Sequence, residues 1–168
     1  MLKVTALALF AAFLGAEAAA AQSMTLTSPD IKPGARIADE QVYKDCGGGN
    51  ISPALSWSGA PKGTKSFALS VYDPDAPTGS GFWHWVVFNI PPDVTSLAKN
   101  ASDPKGPAAP KGAVQSRTDF GVPGYGGPCP PKGDAPHHYH FRIFAVDIPK
   151  LEGDENTTAA TSPDSSSN

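Results

Sequence analysis

Three ionisable side chains each interrupt an otherwise apolar, strand-like run, and together they could bind a small anion. Asp73 ends the run SFALSVYD, His84 lies within GFWHWVVFNI, and His137 precedes YHFRIFAVD. Side chains alternate between the two faces of a strand, so each of these groups shares a face with apolar residues typical of a core. A buried charge is costly unless it is paired or solvated. We therefore expect Asp73, His84 and His137 to meet at one rim of the core.

The Gly- and Pro-rich segment GYGGPCPPKGD (124–134) comes just before these histidines and predicts a fixed loop beside the same rim. By alternation, Tyr139 shares the face of His137 and lines a cavity, whereas His138 and His140 face water. Imidazoles, a tyrosine hydroxyl and loop N–H groups all donate to phosphate or carboxylate oxygens. The pattern indicates an anion site whose affinity rises as the pH falls towards the histidine pKa.

Each of these residues also has a purely structural interpretation. His84 fits a core histidine bonded to the backbone, and Asp73 fits a turn former in DPDAP. Asp75 fits either a turn residue or a partner behind the site, and HHYH fits a surface metal trap. For each residue considered alone, a structural role is the better explanation. Only the convergence of Asp73, His84 and His137 would favour a functional site.

A metal-assisted hydrolase is the enzymatic alternative, because two histidines and one aspartate match a common three-ligand zinc pattern. The chain contains neither HExxH nor GxSxG, and no serine lies beside the histidine motifs as an obvious nucleophile. We therefore expect a binding protein with no catalytic residues, no cofactor and no resident metal.

The composition is typical of one all-β domain. The 168 residues carry a net charge of −3 and no basic run, which argues against a nucleic-acid partner. Strand-like runs separated by 17 glycines and 18 prolines favour an antiparallel β-sandwich. Shorter strands are expected at 24–28, 35–37, 55–59 and 112–116, and 91–112 reads as a long connection.

Both ends of the chain differ from the domain between them. Residues 1–21 combine Lys3, a short apolar run and an alanine-rich end, which is the pattern of a cleaved signal peptide. The apolar run is too short for a stable membrane anchor. We expect a periplasmic or secreted protein with its domain at 22–154 and a polar, disordered tail at 155–168.

The two cysteines, Cys46 and Cys129, are the only possible intramolecular pair. In an oxidising compartment they favour a disulfide, which would pin the Pro-rich loop to the turn DCGGGN. Two separate buried thiols are the alternative.

Two long stretches carry a resemblance to a known family: NISPALSWSGAPKGTKSFALSVYDPDAPTGSGFWHWVVFNIP and DFGVPGYGGPCPPKGDAPHHYHFRIFAVD. They closely resemble the phosphatidylethanolamine-binding protein family, in its bacterial Raf-kinase-inhibitor-like branch, over about residues 24–152. The resemblance implies a β-sandwich with a Greek-key core and a small cavity. That cavity would accept phosphate-type head groups and related oxyanions, such as phosphate, phosphoethanolamine or a carboxylate.

The resemblance also implies which residues form the cavity. They are Asp73 and Pro74 of DPDAP, His84 of the next strand, His137 and Tyr139, and Tyr125, Gly127 and Pro128 of the loop that closes one side, with Asp75 and Trp83 in support. Inhibition of a protease or of a kinase-type protein partner is the alternative function that the family suggests.

The sequence departs from the family pattern in two places. His138 stands where the family has an arginine, which removes a permanent cation, and we expect a modest effect because position 138 faces away from the cavity. The family continues with a C-terminal helix and a last strand, whereas a polar tail follows here. We therefore expect the fold to lack both elements and to leave a sheet edge exposed.

Overall fold

The computed structural model describes residues 24–103 and 109–158, and within them two antiparallel sheets. The strands are β1 (Thr25–Thr27), β2 (Leu55–Ser58), β3 (Ser66–Asp73), β4 (Phe82–Ile90), β5 (Ser96–Leu97), β6 (Val114–Gln115) and β7 (His140–Val146). Over these ranges the only helical element is the 3-10 turn Lys44–Cys46. No helix in the described part of the chain is long and apolar enough to cross a membrane. The predicted signal peptide and residues 159–168 of the predicted tail lie outside the described residues.

The two sheets form the expected antiparallel β-sandwich. One sheet has the order β1–β2–β5 and the other has the order β6–β4–β3–β7. The chain passes from one sheet to the other after β2, after β4 and after β5, which is a Greek-key path rather than a simple meander.

The core fills the space between the sheets. Trp57 of β2 packs edge-on against Phe67 of β3, with ring centroids 5.6 Å apart. The other buried members of this cluster are Leu55, Leu69, Val71, Trp85, Val87, Ile90, Leu97, Ala101 and Tyr125. Burying each large apolar side chain contributes about 1.5–3 kcal/mol, so this layer fixes how the two sheets face each other.

Strand β4 contains two bulges, and one of them is at His84. Val71 of β3 pairs with Trp85 and Tyr72 pairs with Trp83, so His84 is the extra residue between them. A second irregularity includes Asn89, whose φ is +57°. A bulge bends the strand and re-aims the side chain of the extra residue. The core face of β4 therefore comprises Trp85, Val87 and Ile90, and the strict alternation expected from the sequence fails on this strand.

Most of the expected strands are present, with two differences. The expected strand at 35–37 is wrong, because that segment is irregular. Strand β5 was missed because its two residues lie inside the segment read as a long connection. Short strands carry too few residues to show a period, and tertiary pairing alone defines them.

The segment after β7 crosses the end of the sheet. The side-chain amide of Asn89 donates to the carbonyl of Leu151 and accepts from its N–H, at 3.1 Å and 2.7 Å. Thr158 forms an isolated bridge with Arg117. Over the described residues β7 pairs only with β3, so it is an edge strand, and no helix follows it.

A disulfide joins Cys46 to Cys129, as expected, with the Cα atoms 5.8 Å apart. It closes a separation of 83 residues and holds the Pro-rich loop against the turn that follows the 3-10 element. A backbone bond from Tyr43 N–H to the Pro128 carbonyl, 3.0 Å long, reinforces the same contact.

We predict that replacing both cysteines by serine lowers the free energy of unfolding by about 2–4 kcal/mol, because the open chain regains the entropy that the cross-link removes. Guanidinium unfolding of the double variant and the wild type measures this difference. A thiol assay on the denatured, unreduced wild type is the control and should count no free cysteine. Two free thiols, or equal unfolding free energies, would contradict the assignment.

Candidate functional site

The centre of the site is a buried hydrogen bond between Asp73 and His137. Asp73 ends β3, and His137 lies just before β7, the strand paired with β3. The distance from Nδ1 of His137 to Oδ2 of Asp73 is 2.7 Å, and the two side chains are only 5% and 4% exposed. The other carboxylate oxygen of Asp73 accepts the backbone N–H of Asp75 at 2.9 Å, which fixes the start of the DPDAP turn.

His84 reaches the same carboxylate from β4. Its Nε2 lies 3.9 Å from Oδ2 of Asp73, and its side chain is 5% exposed. Its Nδ1 lies 2.7 Å from the carbonyl oxygen of Gly126. A carbonyl oxygen can only accept, so Nδ1 carries the hydrogen and Nε2 of the neutral ring is a bare acceptor. Asp73, His84 and His137 therefore converge, as the strand faces predicted.

Three aromatic rings surround His84. Phe82, Phe120 and Tyr139 have ring centroids 5.2, 5.4 and 5.1 Å from the imidazole. Desolvation by this apolar shell lowers the pKa of His84, although the Gly126 carbonyl and Asp73 oppose the shift. His84 is therefore neutral at physiological pH.

Tyr139 brings an unsatisfied hydroxyl to the cluster. The hydroxyl is buried, and its hydrogen has no acceptor within the described residues. Desolvation, and to a lesser extent the charge of Asp73, raise its pKa, although the backbone N–H of Cys129, which donates towards the oxygen, opposes the rise; the hydroxyl therefore stays protonated and remains a donor. Leaving a buried donor unpaired costs about 1–3 kcal/mol. A ligand that accepts from this hydroxyl would remove that cost.

His137 faces a carboxylate at each ring nitrogen. The hydrogen bond to Asp73 raises its pKa despite the opposing effect of desolvation, and Asp134 adds to the rise. The distance from Nε2 of His137 to Oδ2 of Asp134 is 3.5 Å. The carboxylates thus favour the cationic form of His137, whereas desolvation favours the neutral form of His84.

The loop residues expected in the site form its wall. Tyr125 is buried, and its hydroxyl donates to the carbonyl of Gln41 at 3.1 Å. The N–H of Gly127 donates to Oδ1 of Asn50 at 2.8 Å, and a Cβ at Gly127 would collide with the Gln41 carbonyl oxygen. Pro128 has no N–H. We therefore assign these loop residues to support rather than to donation.

The remaining expected residues lie around the cluster. Pro74 is exposed in the DPDAP turn. Asp75 accepts both the backbone N–H and the ring Nδ1 of His138, each at 2.7 Å, and the backbone bond is the larger cause of its lowered pKa. His138 is exposed, as expected, but it pins the DPDAP turn to the loop. The ring of Trp83 packs on the ring of Tyr72, with the centroids 4.5 Å apart. These two residues pair across β3 and β4 next to the bulge at His84.

Sequence analysis missed three residues that shape the site: Asn50, Phe120 and Asp134. Asn50 holds the loop through Gly127 and through the Tyr125 carbonyl, at 2.8 Å and 3.1 Å. Phe120 and Asp134 lie in irregular segments, where no periodicity indicates where a side chain points. The one available signal was that both residues come shortly before the histidine motif in the sequence. That position does not show which side chains they contact.

The described residues contain no group of three or more His, Cys, Asp or Glu side chains arranged to hold a metal ion. One carboxylate oxygen of Asp73 already accepts from His137 and faces His84. The geometry fits hydrogen bonding to a guest molecule.

Comparison with known proteins agrees with this fold. The family model described as phosphatidylethanolamine-binding protein matches residues 27–164. The chain is 53% identical to the UPF0098 protein YbcL of Escherichia coli over 144 residues, covering 84% of this chain and 79% of YbcL. It is 46% identical to YbhB of Escherichia coli over 139 residues, covering 82% of this chain and 87% of YbhB.

Two solved structures are similar to the whole sandwich. The crystal structure of Escherichia coli YbcL, described as a new member of the mammalian PEBP family, superposes with a TM-score of 0.79 over 83% of this chain and 86% of that one, at 53% identity. A putative PEBP homologue from Chlamydia trachomatis, CT736, gives a TM-score of 0.67 at 35% identity, covering 82% of this chain and 84% of that one.

We predict that His137 titrates above the usual histidine pKa of about 6.5. Asp73→Asn should lower the pKa of His137, because it removes the carboxylate that contributes most to the rise. NMR of the histidine ring signals against pH measures both values. Asp75→Asn is the matched control, because its carboxylate bonds to His138 instead, and it should shift the pKa of His137 less. A pKa of His137 that is unchanged in Asp73→Asn would contradict the pairing.

Proposed function

The chain belongs to the phosphatidylethanolamine-binding protein family, and on that premise we propose that it is an exported binding protein for a small oxyanion. The proposed site is the cluster of Asp73, His84, His137 and Tyr139. Its ligand is phosphate, the phosphate of a lipid head group, or a compound with the same oxygen chemistry.

The observation that carries the proposal is the unpaired hydroxyl of Tyr139 beside the buried pair of imidazoles. A protein that only needed a stable core would gain by placing phenylalanine here, because a buried unpaired hydroxyl destabilises the fold. An oxyanion accepts from the hydroxyl. It also lies next to His137, whose raised pKa favours the cationic ring.

Binding at His84 requires a proton. In the neutral ring, Nδ1–H donates to the Gly126 carbonyl, so Nε2 carries a lone pair and can only accept a hydrogen bond. A fully deprotonated oxyanion would be repelled by that lone pair and by Asp73. The oxyanion must therefore donate a hydroxyl hydrogen to Nε2, as a protonated phosphate can, or His84 must take up a proton when it binds.

Export belongs to the same proposal. It is supported by the signal-peptide pattern of residues 1–21 and by the Cys46–Cys129 disulfide, a bond that persists in oxidising compartments. An exported pocket of this kind would meet head groups or free phosphate outside the cytoplasm.

We predict that Tyr139→Phe weakens phosphate binding about tenfold while changing stability little, because the hydroxyl hydrogen has no acceptor to lose in the free protein. Titration calorimetry with inorganic phosphate and with phosphoethanolamine measures the affinities. Tyr125→Phe is the matched control: its hydroxyl bonds to Gln41, so it should cost about 1 kcal/mol of stability and leave affinity nearly unchanged. Wild-type affinity in Tyr139→Phe, or no binding by the wild type, would refute the proposal.

We also predict that sulfate, whose charge is constant near neutrality, binds more tightly as the pH falls from about 8 to 5.5. An anion at Nε2 raises the pKa of His84 in the complex, so binding takes up a proton, and affinity changes by up to about tenfold per pH unit. Asp73, Asp119 and Tyr139 are the ionisable groups that act on His84 or pack against it. His137 also gains charge as the pH falls, in the same direction.

In His84→Gln the neutral amide cannot take up a proton, so the pH dependence should become flatter. Sulfate affinity that is constant across this range, or that rises with pH, would contradict proton-linked binding.

A further inference from the structure

Each ring nitrogen of His137 faces a carboxylate. Its Nδ1 is bonded to Asp73 at 2.7 Å, and its Nε2 faces Asp134 at 3.5 Å. An imidazolium has two N–H groups in all. An oxyanion that approaches His137 therefore meets a carboxylate at each ring nitrogen, hydrogen-bonded at Nδ1 and held by a longer ion-pair contact at Nε2.

The two carboxylates are held very differently. Asp73 is 4% exposed, ends a strand and also accepts the N–H of Asp75. Asp134 is 40% exposed and lies in a short turn, in which its N–H donates to the Pro131 carbonyl at 3.1 Å. Gly133 in the same turn has a φ of +100°, which only glycine adopts readily. The Asp134 side chain can turn into solvent without unfolding anything, whereas Asp73 cannot.

Two anions cannot share one N–H of His137. A negatively charged ligand next to Asp134 would be repelled by it, and solvent screens this repulsion only in part because the Asp134 side chain is 40% exposed. The weakly held carboxylate is the one that must leave.

Building on the proposed function, we propose that Asp134 limits the affinity of the site: its carboxylate forms an ion pair with Nε2 of His137, the position that a bound oxyanion uses, and the oxyanion displaces it. Asp134 is thus an internal competitor for the site. Its removal exposes a donor on an already buried, cationic ring.

The test compares Asp134→Ala with Asp93→Ala in the full-length protein. Asp93 is exposed in the turn after β4, at the end of the strand away from His84, so its removal changes the net charge equally. We expect Asp134→Ala to bind inorganic phosphate about three- to fivefold more tightly than Asp93→Ala in titration calorimetry, the range for a partly exposed ion pair. Asp134→Asn should give a gain in the same direction, because the amide is neutral.

A second readout does not depend on any ligand. In the free protein, NMR titration of the histidine rings should show a lower pKa for His137 in Asp134→Ala than in Asp93→Ala. Asp73 and Asp134 pair with His137, and Asp75 interacts with it at longer range, so the contributions of Asp73 and Asp75 remain in both variants.

The outcomes separate this inference from the proposed function. If the wild type and both variants bind phosphate with equal affinity, the pocket binds anions and the inference about Asp134 is wrong. Weaker binding by Asp134→Ala would also overturn it, because Asp134 would then be assisting the ligand. If no form binds phosphate, the proposed function fails and the displacement fails with it.

Discussion

The site depends on one hydrogen bond, between the carboxylate of Asp73 and the ring of His137, which joins residues 64 positions apart in sequence. A charged carboxylate buried at the end of a strand is costly unless it is paired. Here the pairing fixes the start of β7 against the end of β3 and raises the pKa of His137. The same carboxylate faces the ring of His84, but there desolvation outweighs it and lowers the pKa, so the two imidazoles differ in charge preference.

The rest of the architecture positions the partners of that bond. The bulge in β4 places His84 beside Asp73 while Trp85 stays in the core. The disulfide and the side chain of Asn50 hold the Pro-rich loop so that the Gly126 carbonyl meets His84. Glycine is required in this loop, because a Cβ at Gly126 would collide with the ring of Phe120. The sandwich thus holds the strands in place, and the loop contacts determine which ring nitrogen of His84 can interact with a ligand.

The sequence predicted the features that follow from periodicity. Alternation on β3 placed Asp73 on the core face, and alternation before β7 placed Tyr139 beside His137 and His138 in water. It failed at β4, because a bulge is a property of the pairing between two strands and leaves no mark in one of them. The roles of Asn50, Phe120 and Asp134 were equally hidden, since contacts made by loops depend on the folded path of the chain.

The central claim is that this pocket holds an oxyanion, and a crystal structure of the protein grown in phosphate below neutral pH tests it most directly. The account predicts tetrahedral density within hydrogen-bond distance of both the Tyr139 hydroxyl and Nε2 of His84. Density for phosphate only at surface lysines, with water alone beside Tyr139, would contradict it.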